Sequence, residues 1–176
     1  MAPSRLQIAP TGVERFFDDD EIIVTKTDVA GRITYGNPIF LRMAGYTEEE
    51  VLGAPHSLIR HPEMPRAVFK LLWDRILAGH EVFAYVNNLA SNGDHYWVLA
   101  HVTPTYDANG TLIGFHSMRR APARRAVDAV TPLYAALLTE EQRHYDRAQG
   151  LEASFAMLVN LLATAGVSYD EWVWSL

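Results

Sequence analysis

The chain has 176 residues, a net charge of −6, and 49% hydrophobic against 20% charged residues. That is enough apolar sequence for one domain with its own core plus accessory segments, and it is not the composition of a disordered chain. The acidic balance argues against broad electrostatic binding to nucleic acid, which needs a basic footprint. The absence of cysteine excludes disulfides, thiolate catalysis and cysteine–zinc sites.

Residues 1–20 read as a polar lead-in, with neither a long apolar run nor a signal-peptide pattern in "MAPSRLQIAP". "EIIVTKT" (21–27) and "RITYG" (32–36) are β-rich and flank the turn "DVAGR", which predicts a hairpin. "NPIFLRMAG" (37–45) is a short helix with a capping asparagine, proline at its first position and a closing glycine. "TEEEVLG" (47–53) repeats that grammar: Thr47 caps and Glu50 completes a capping box. From Pro65, the apolar residues Val68, Leu71, Leu72 and Ile76, with Phe69 and Trp73, follow a 3.6-residue period up to Gly79 and predict the longest helix of this region. Strands follow at 81–89, 95–106 and 111–119, joined by the turns "SNGD" and "DANG". Alternation in 95–104 puts His95, Trp97, Leu99, His101 and Thr103 on one face and Tyr96, Val98, Ala100 and Val102 on the other. The sequence leaves open which set meets the helices.

Residues 121–149 return to a helical pattern, with an interruption expected near Pro132. A further helix at 151–166 has Leu151, Phe155, Leu158 and Leu162 on one face. The order predicts an α+β fold: a five-stranded antiparallel sheet with helices on one face, plus C-terminal helices. The organisation is a lead-in (1–20), a central domain (21–120) and a helical extension (121–176).

The segment "RHPEMP" crowds Arg60, His61 and Glu63 between two short apolar stretches. On spacing alone it is a loop entering a helix, with Glu63 favouring the helix dipole and Arg60 solvated. Asn37 is explained by its capping position, and core packing explains at least one of Trp73 and Trp97. The seven histidines show no helical metal pair. No Ser/His/Asp arrangement, phosphate-binding glycine loop or paired carboxylate stands out, so the chain does not read as an enzyme.

The stretches "TDVAGRITYGNPIFLRMAGYTEEEVLG", "PHSLIRHPEMPRAVFKLLWDRI" and "NGDHYWVLAHVTP" resemble the PAS domain of bacterial aerotaxis receptors. The likeness covers about residues 20–138, and "RHPEMP" together with "NGDHYWV" is its most specific part. The resemblance implies a PAS fold and a sensor that binds FAD and signals redox state or oxygen and energy status. It implies Asn37, Arg60, His61 and Glu63 as the cofactor group, with Trp73 and Trp97 close to the site or its signal path. The chain departs from the family pattern where Glu63 replaces a common aspartate. It also has Val82 beside Phe83 where a tryptophan is common, and "NLASNG" in place of a basic run. The alternatives are a cofactor-free PAS interaction and dimerisation module, or a haem-binding PAS gas sensor with His61 or His56 as axial ligand. Without cysteine, flavin–cysteine adduct chemistry is excluded.

The apolar stripe of 151–162, followed by Trp172 and Trp174, is too hydrophobic to stand in water. It folds back on the sheet or pairs with another chain. The family likeness favours a homodimer through these helices; the family continues into a membrane anchor and a signalling coiled coil that this sequence does not show, so a free-standing sensor or one docked on a separate output protein is expected. No nucleic-acid partner is expected. The uncharged stretch 153–169 holds too many polar residues for a membrane span, so a cytoplasmic location is expected.

Overall fold

The computed structural model describes residues 8–176; residues 1–7 of the expected lead-in lie outside the described residues. In chain order the elements are β1 (Ile23–Thr27), β2 (Ile33–Gly36), α1 (Pro38–Ala44), α2 (Glu48–Val51), a 3₁₀ turn (His56–Ile59), α3 (Arg66–Leu77), β3 (Val82–Leu89), β4 (His95–Tyr106), β5 (Leu112–Arg120), α4 (Arg124–Gln142), α5 (Arg147–Ala165) and α6 (Tyr169–Ser175). The sheet has five strands in the order β2-β1-β5-β4-β3, and every neighbouring pair is antiparallel.

Local chemistry sets the early elements. Asn37 Oδ1 accepts the Phe40 N–H at 3.0 Å and starts α1, and Gly45 ends it in the left-handed region at φ 72°. Thr47 and Glu50 form the expected capping box of α2. The first turn of α3 has no side-chain cap from its own N-cap, Pro65; Glu141 of α4 supplies one.

The core lies between α1–α3 and one face of the sheet, where Phe40, Met43, Ile59, Val68, Leu71 and Ile76 are buried with Ile23, Ala84, Tyr96, Val98 and Phe115. The opposite face and the β3 edge belong to the extension. Tyr134 of α4 stacks on Trp97 with ring centroids 6.2 Å apart, and its hydroxyl donates to the Tyr85 carbonyl at 2.8 Å. Trp174 of α6 meets Phe83 edge-on. The C-terminal helices thus cover an edge strand that would otherwise offer unpaired backbone groups. The stripe on α5 folds back: Leu158 and Ser154 are buried, and Lys70 of α3 sits over the Phe155 ring at 4.7 Å. Among the described residues no single helix is long and apolar enough to cross a membrane; α5 and α6 meet that test only as a pair bent by 73°.

The extension differs from the sequence expectation in two ways. α4 runs unbroken through Pro132, and the break falls later, at 143–146. A proline inside a helix costs about 3 kcal/mol. Here Val127, Val130, Tyr134 and Leu137 on both sides of it are buried on one face, and each buried side chain of that size contributes about 1.5–3 kcal/mol. Packing therefore outweighs the lost backbone bond. Asp146 then caps α5 by accepting the Ala148 N–H at 2.7 Å. α6 is an additional helix, started by a second capping box of Ser168 and Glu171.

Candidate functional site

A cavity of about 310 Å³ opens between the inner face of the sheet and the segment from the 3₁₀ turn to α3. It sits at the lower end of the range that holds small organic ligands, roughly 300–1,000 Å³. Ile59, Phe69, Leu72, Trp73 and Ile76 form the helical wall, and Val86, Ala100, Val102 and Phe115 form the sheet wall. The inner face of β4 is therefore the Tyr96–Val98–Ala100–Val102 set. Trp73 meets Phe115 edge-on at 5.3 Å. Gly31 lines the mouth at φ 76°, a backbone conformation that favours glycine, and a Cβ there would make a tight 3.2 Å contact with the Trp73 ring.

One side of the cavity is polar. Arg119 of β5 is 4% exposed. Its Nη2 donates to His56 Nε2 at 2.6 Å and to Thr25 Oγ1 at 2.9 Å. Thr25 Oγ1 lies 3.1 Å from the same His56 nitrogen. A guanidinium only donates, so His56 Nε2 is an acceptor and the proton of this neutral imidazole sits on Nδ1. Burial first, and the Arg119 charge second, push His56 down to about 3. Burial pulls Arg119 down to about 10, which leaves it a cation at neutral pH. No carboxylate lines the cavity. Arg119 Nη1, Ser117 Oγ and Asn88 Nδ2 are buried with no hydrogen-bond partner, and all three residues line it. Orphaned buried donors are costly, of order 1–3 kcal/mol each, and acceptors brought to this edge would remove that cost.

The residues singled out in the sequence divide. Arg60 and Trp73 reach the cavity wall, with the Arg60 guanidinium 3.9 Å over the Phe69 ring. Asn37 does not. Its Oδ1 accepts from Val24 N at 3.0 Å and Phe40 N at 3.0 Å, and its Nδ2 donates to Ile22 O at 2.8 Å. It ties β1 to α1. Trp97 stands on the far face against Tyr134. The Glu63 side chain is 77% exposed and does not line the cavity. His61 is buried, takes the Glu63 N–H on Nδ1 at 3.2 Å, and lines a second groove rather than the cavity.

That groove, about 910 Å³, runs between the 3₁₀ turn with its following loop and the α4–α5 corner, and it shares Ser57 and Arg60 with the cavity. His56, Thr25, Asn88, Ser117 and Arg119 line the cavity, and the sequence reading did not assign them to a flavin. The available signal was on β5: Phe115, Ser117 and Arg119 alternate onto one face, and an arginine in line with an apolar inward residue needs a reason. Among the described residues no group of three or more His, Asp or Glu side chains is placed to hold a metal.

Comparison with known proteins agrees with this architecture. Residues 33–119 match the PAS fold. The chain is 39% identical to the aerotaxis receptor of Escherichia coli over 68% of its length, and spans 23% of that receptor. It is 28% identical to the nitrogen fixation regulatory protein of Klebsiella pneumoniae over 56% of its length, and spans 20% of that protein. Among solved structures, a light-oxygen-voltage domain studied with a flavin analogue superposes with a TM-score of 0.55 at 18% identity, covering 70% of this chain and 87% of the other; that likeness concerns the fold. The chain belongs to the PAS family, and over 119 residues it is similar in sequence to an aerotaxis receptor.

Proposed function

We propose that this PAS domain is a cytoplasmic flavin sensor, binding FAD with the ring in the inner cavity, and that it reports redox state rather than catalysing turnover. The observation that carries the reading is Arg119: a buried cation on the wall of a largely apolar cavity whose lining holds no carboxylate, with its Nη1 unpartnered among the described residues. The acceptor-rich pyrimidine edge of an isoalloxazine matches Arg119 Nη1, Ser117 and Asn88, while Trp73, Phe69 and the aliphatic walls match its rings. The similarity to an aerotaxis receptor supports the same reading.

When bound, a flavin supplies reversible uptake of electrons and protons on its ring. The protein's share is to hold donors at the carbonyl edge, keep His56 neutral as an acceptor for Arg119, and exclude water with the α3 wall. β5 ends at Arg120 and α4 begins at Arg124, so a change in the hydrogen bonds of Arg119 arises next to the start of the extension. The signal passes from there to an output protein or to a second copy through the C-terminal helices, whose outward side carries Val159, Leu161 and Trp174. A haem reading has less support, because His56 Nε2, the atom an iron would take, is engaged by Arg119 and Thr25.

The absorbance spectrum of the purified protein tests the proposal. Flavin bands, and FAD released on denaturation, are expected; a colourless protein that takes up no flavin on reconstitution would overturn it. Light scattering across protein concentration tests self-association.

A further inference from the structure

The inner cavity has room for a ring system and not for a whole dinucleotide. Its wall continues through Ser57 and Arg60 into the second groove, and the far side of that groove is formed by the C-terminal extension. Resting on the flavin reading above, we infer that this groove receives the phosphate-bearing half of the cofactor, and that Arg147 of α5 is its anion-binding residue from the extension.

The charge around the groove supports this. Arg66 is committed to Glu141, and His144 to Glu140, which also holds Arg143. Arg147 lines the groove, is exposed, and makes no ion pair among the described residues. An arginine at the start of a helix opposes the helix dipole, so local helix chemistry gives no reason for a cation there. A diphosphate in the groove would neutralise Arg147 with charge-assisted hydrogen bonds. It would also join the PAS core to α5, so that cofactor occupancy would tighten the extension onto the sensor.

The experiment is a set of fluorescence titrations of the flavin-stripped full chain with riboflavin, FMN and FAD, repeated with the Arg147→Gln variant. The side chain is exposed, so the variant is expected to keep the wild-type circular dichroism spectrum. FAD is expected to bind at least about tenfold tighter than riboflavin, and Arg147→Gln is expected to remove about five- to tenfold of that advantage while leaving riboflavin unchanged, as one exposed charge-assisted contact is worth roughly 1 kcal/mol. If FAD and riboflavin bind equally, or if the FAD advantage survives in the variant, the inference fails while the flavin reading stands. If no flavin binds at all, both fall.

Discussion

The carboxylate of Glu141, near the end of α4, holds Arg66 at the start of α3. Its Oε2 accepts from Arg66 Nε at 2.9 Å, and its Oε1 accepts the next backbone N–H, that of Ala67, at 3.0 Å. The helix that forms one wall of the cavity is therefore capped and charge-neutralised by the extension, across 75 residues of sequence. Glu141 is 6% exposed, and Arg66 keeps some contact with solvent. Glu141→Ala is expected to cost about 2–3 kcal/mol, the worth of a lost cap plus a broken, mostly buried ion pair. Glu141→Gln keeps an acceptor for Ala67 and should cost less. Urea unfolding of both variants measures the difference; equal losses would show that the charge, not the cap, is what matters.

Gly150 is where α5 crosses α4. A Cβ there would stand 2.5 Å from the Glu141 carbonyl oxygen. Gly150→Ala gains roughly 1 kcal/mol of helix propensity, while forcing a methyl group into a packed contact costs about 1–3 kcal/mol. The obstacle is backbone, which cannot swing aside as a side chain can, and it belongs to the residue that caps α3. The packing cost is expected to win, with a lower melting temperature. A variant as stable as the parent would mean that the helices separate freely and that the Glu141 grip is soft.

Arg119→Met should move stability and ligand retention in opposite directions. The guanidinium is buried with an unpartnered nitrogen and no counter-ion, and an apolar side chain of similar length in such a place is often stabilising by about 1–4 kcal/mol. Thr25 and His56 stay satisfied, because they face each other at 3.1 Å. The flavin-free variant is expected to unfold at higher urea, and flavin retention to fall at least about tenfold, the worth of a charge-assisted bond of roughly 1.5–3 kcal/mol. Reduced stability of the flavin-free variant would mean that Arg119 is a structural brace.

The contrast between Arg119 and the "RHPEMP" segment shows which part of the site was legible. Capping residues and periodicity are local, so β1 to β5 and α1 to α3 could be read from short windows. The resemblance pointed to one cavity-wall stretch, and the structure puts Arg60 on that wall while leaving Glu63 exposed. The reason is geometric: the chain leaves a 3₁₀ turn at Ile59 and re-enters a helix at Arg66, and neighbours in such a loop do not share a face. His56 and Arg119 are 63 residues apart and meet because the 3₁₀ turn is tied to the β1–β2 turn, with His56 N donating to Gly31 O, while β1 pairs with β5. No window of sequence contains both. The Ser168–Glu171 box was as readable as the Thr47–Glu50 box, whereas the continuity of α4 through Pro132 depends on tertiary burial that local propensity does not see.

The pH dependence of stability follows from His56. Its ordinary value is 6.5, and in the folded protein it is pushed down to about 3, with the Arg119 cation as the charged group facing it. Between those values the unfolded chain carries a proton on this residue and the folded one does not. Stability is therefore complete above pH 6.5 and is lost as the pH falls from 6.5 towards 3, with a slope of up to about 1.4 kcal/mol per pH unit from this group. Burial lowers His61 and His116 as well, so the whole protein should fall more steeply than one histidine requires. Asp94, held down to about 2 by Asn92, Thr11 and Arg15, adds its own loss only below its ordinary 3.8. His56→Gln retains an acceptor for Arg119 and removes the proton site. Urea unfolding of both proteins from pH 7 to 4.5 should give curves that converge as the pH falls, the variant having the shallower slope; parallel curves would show that His56 takes its proton as readily in the folded state as in the unfolded one.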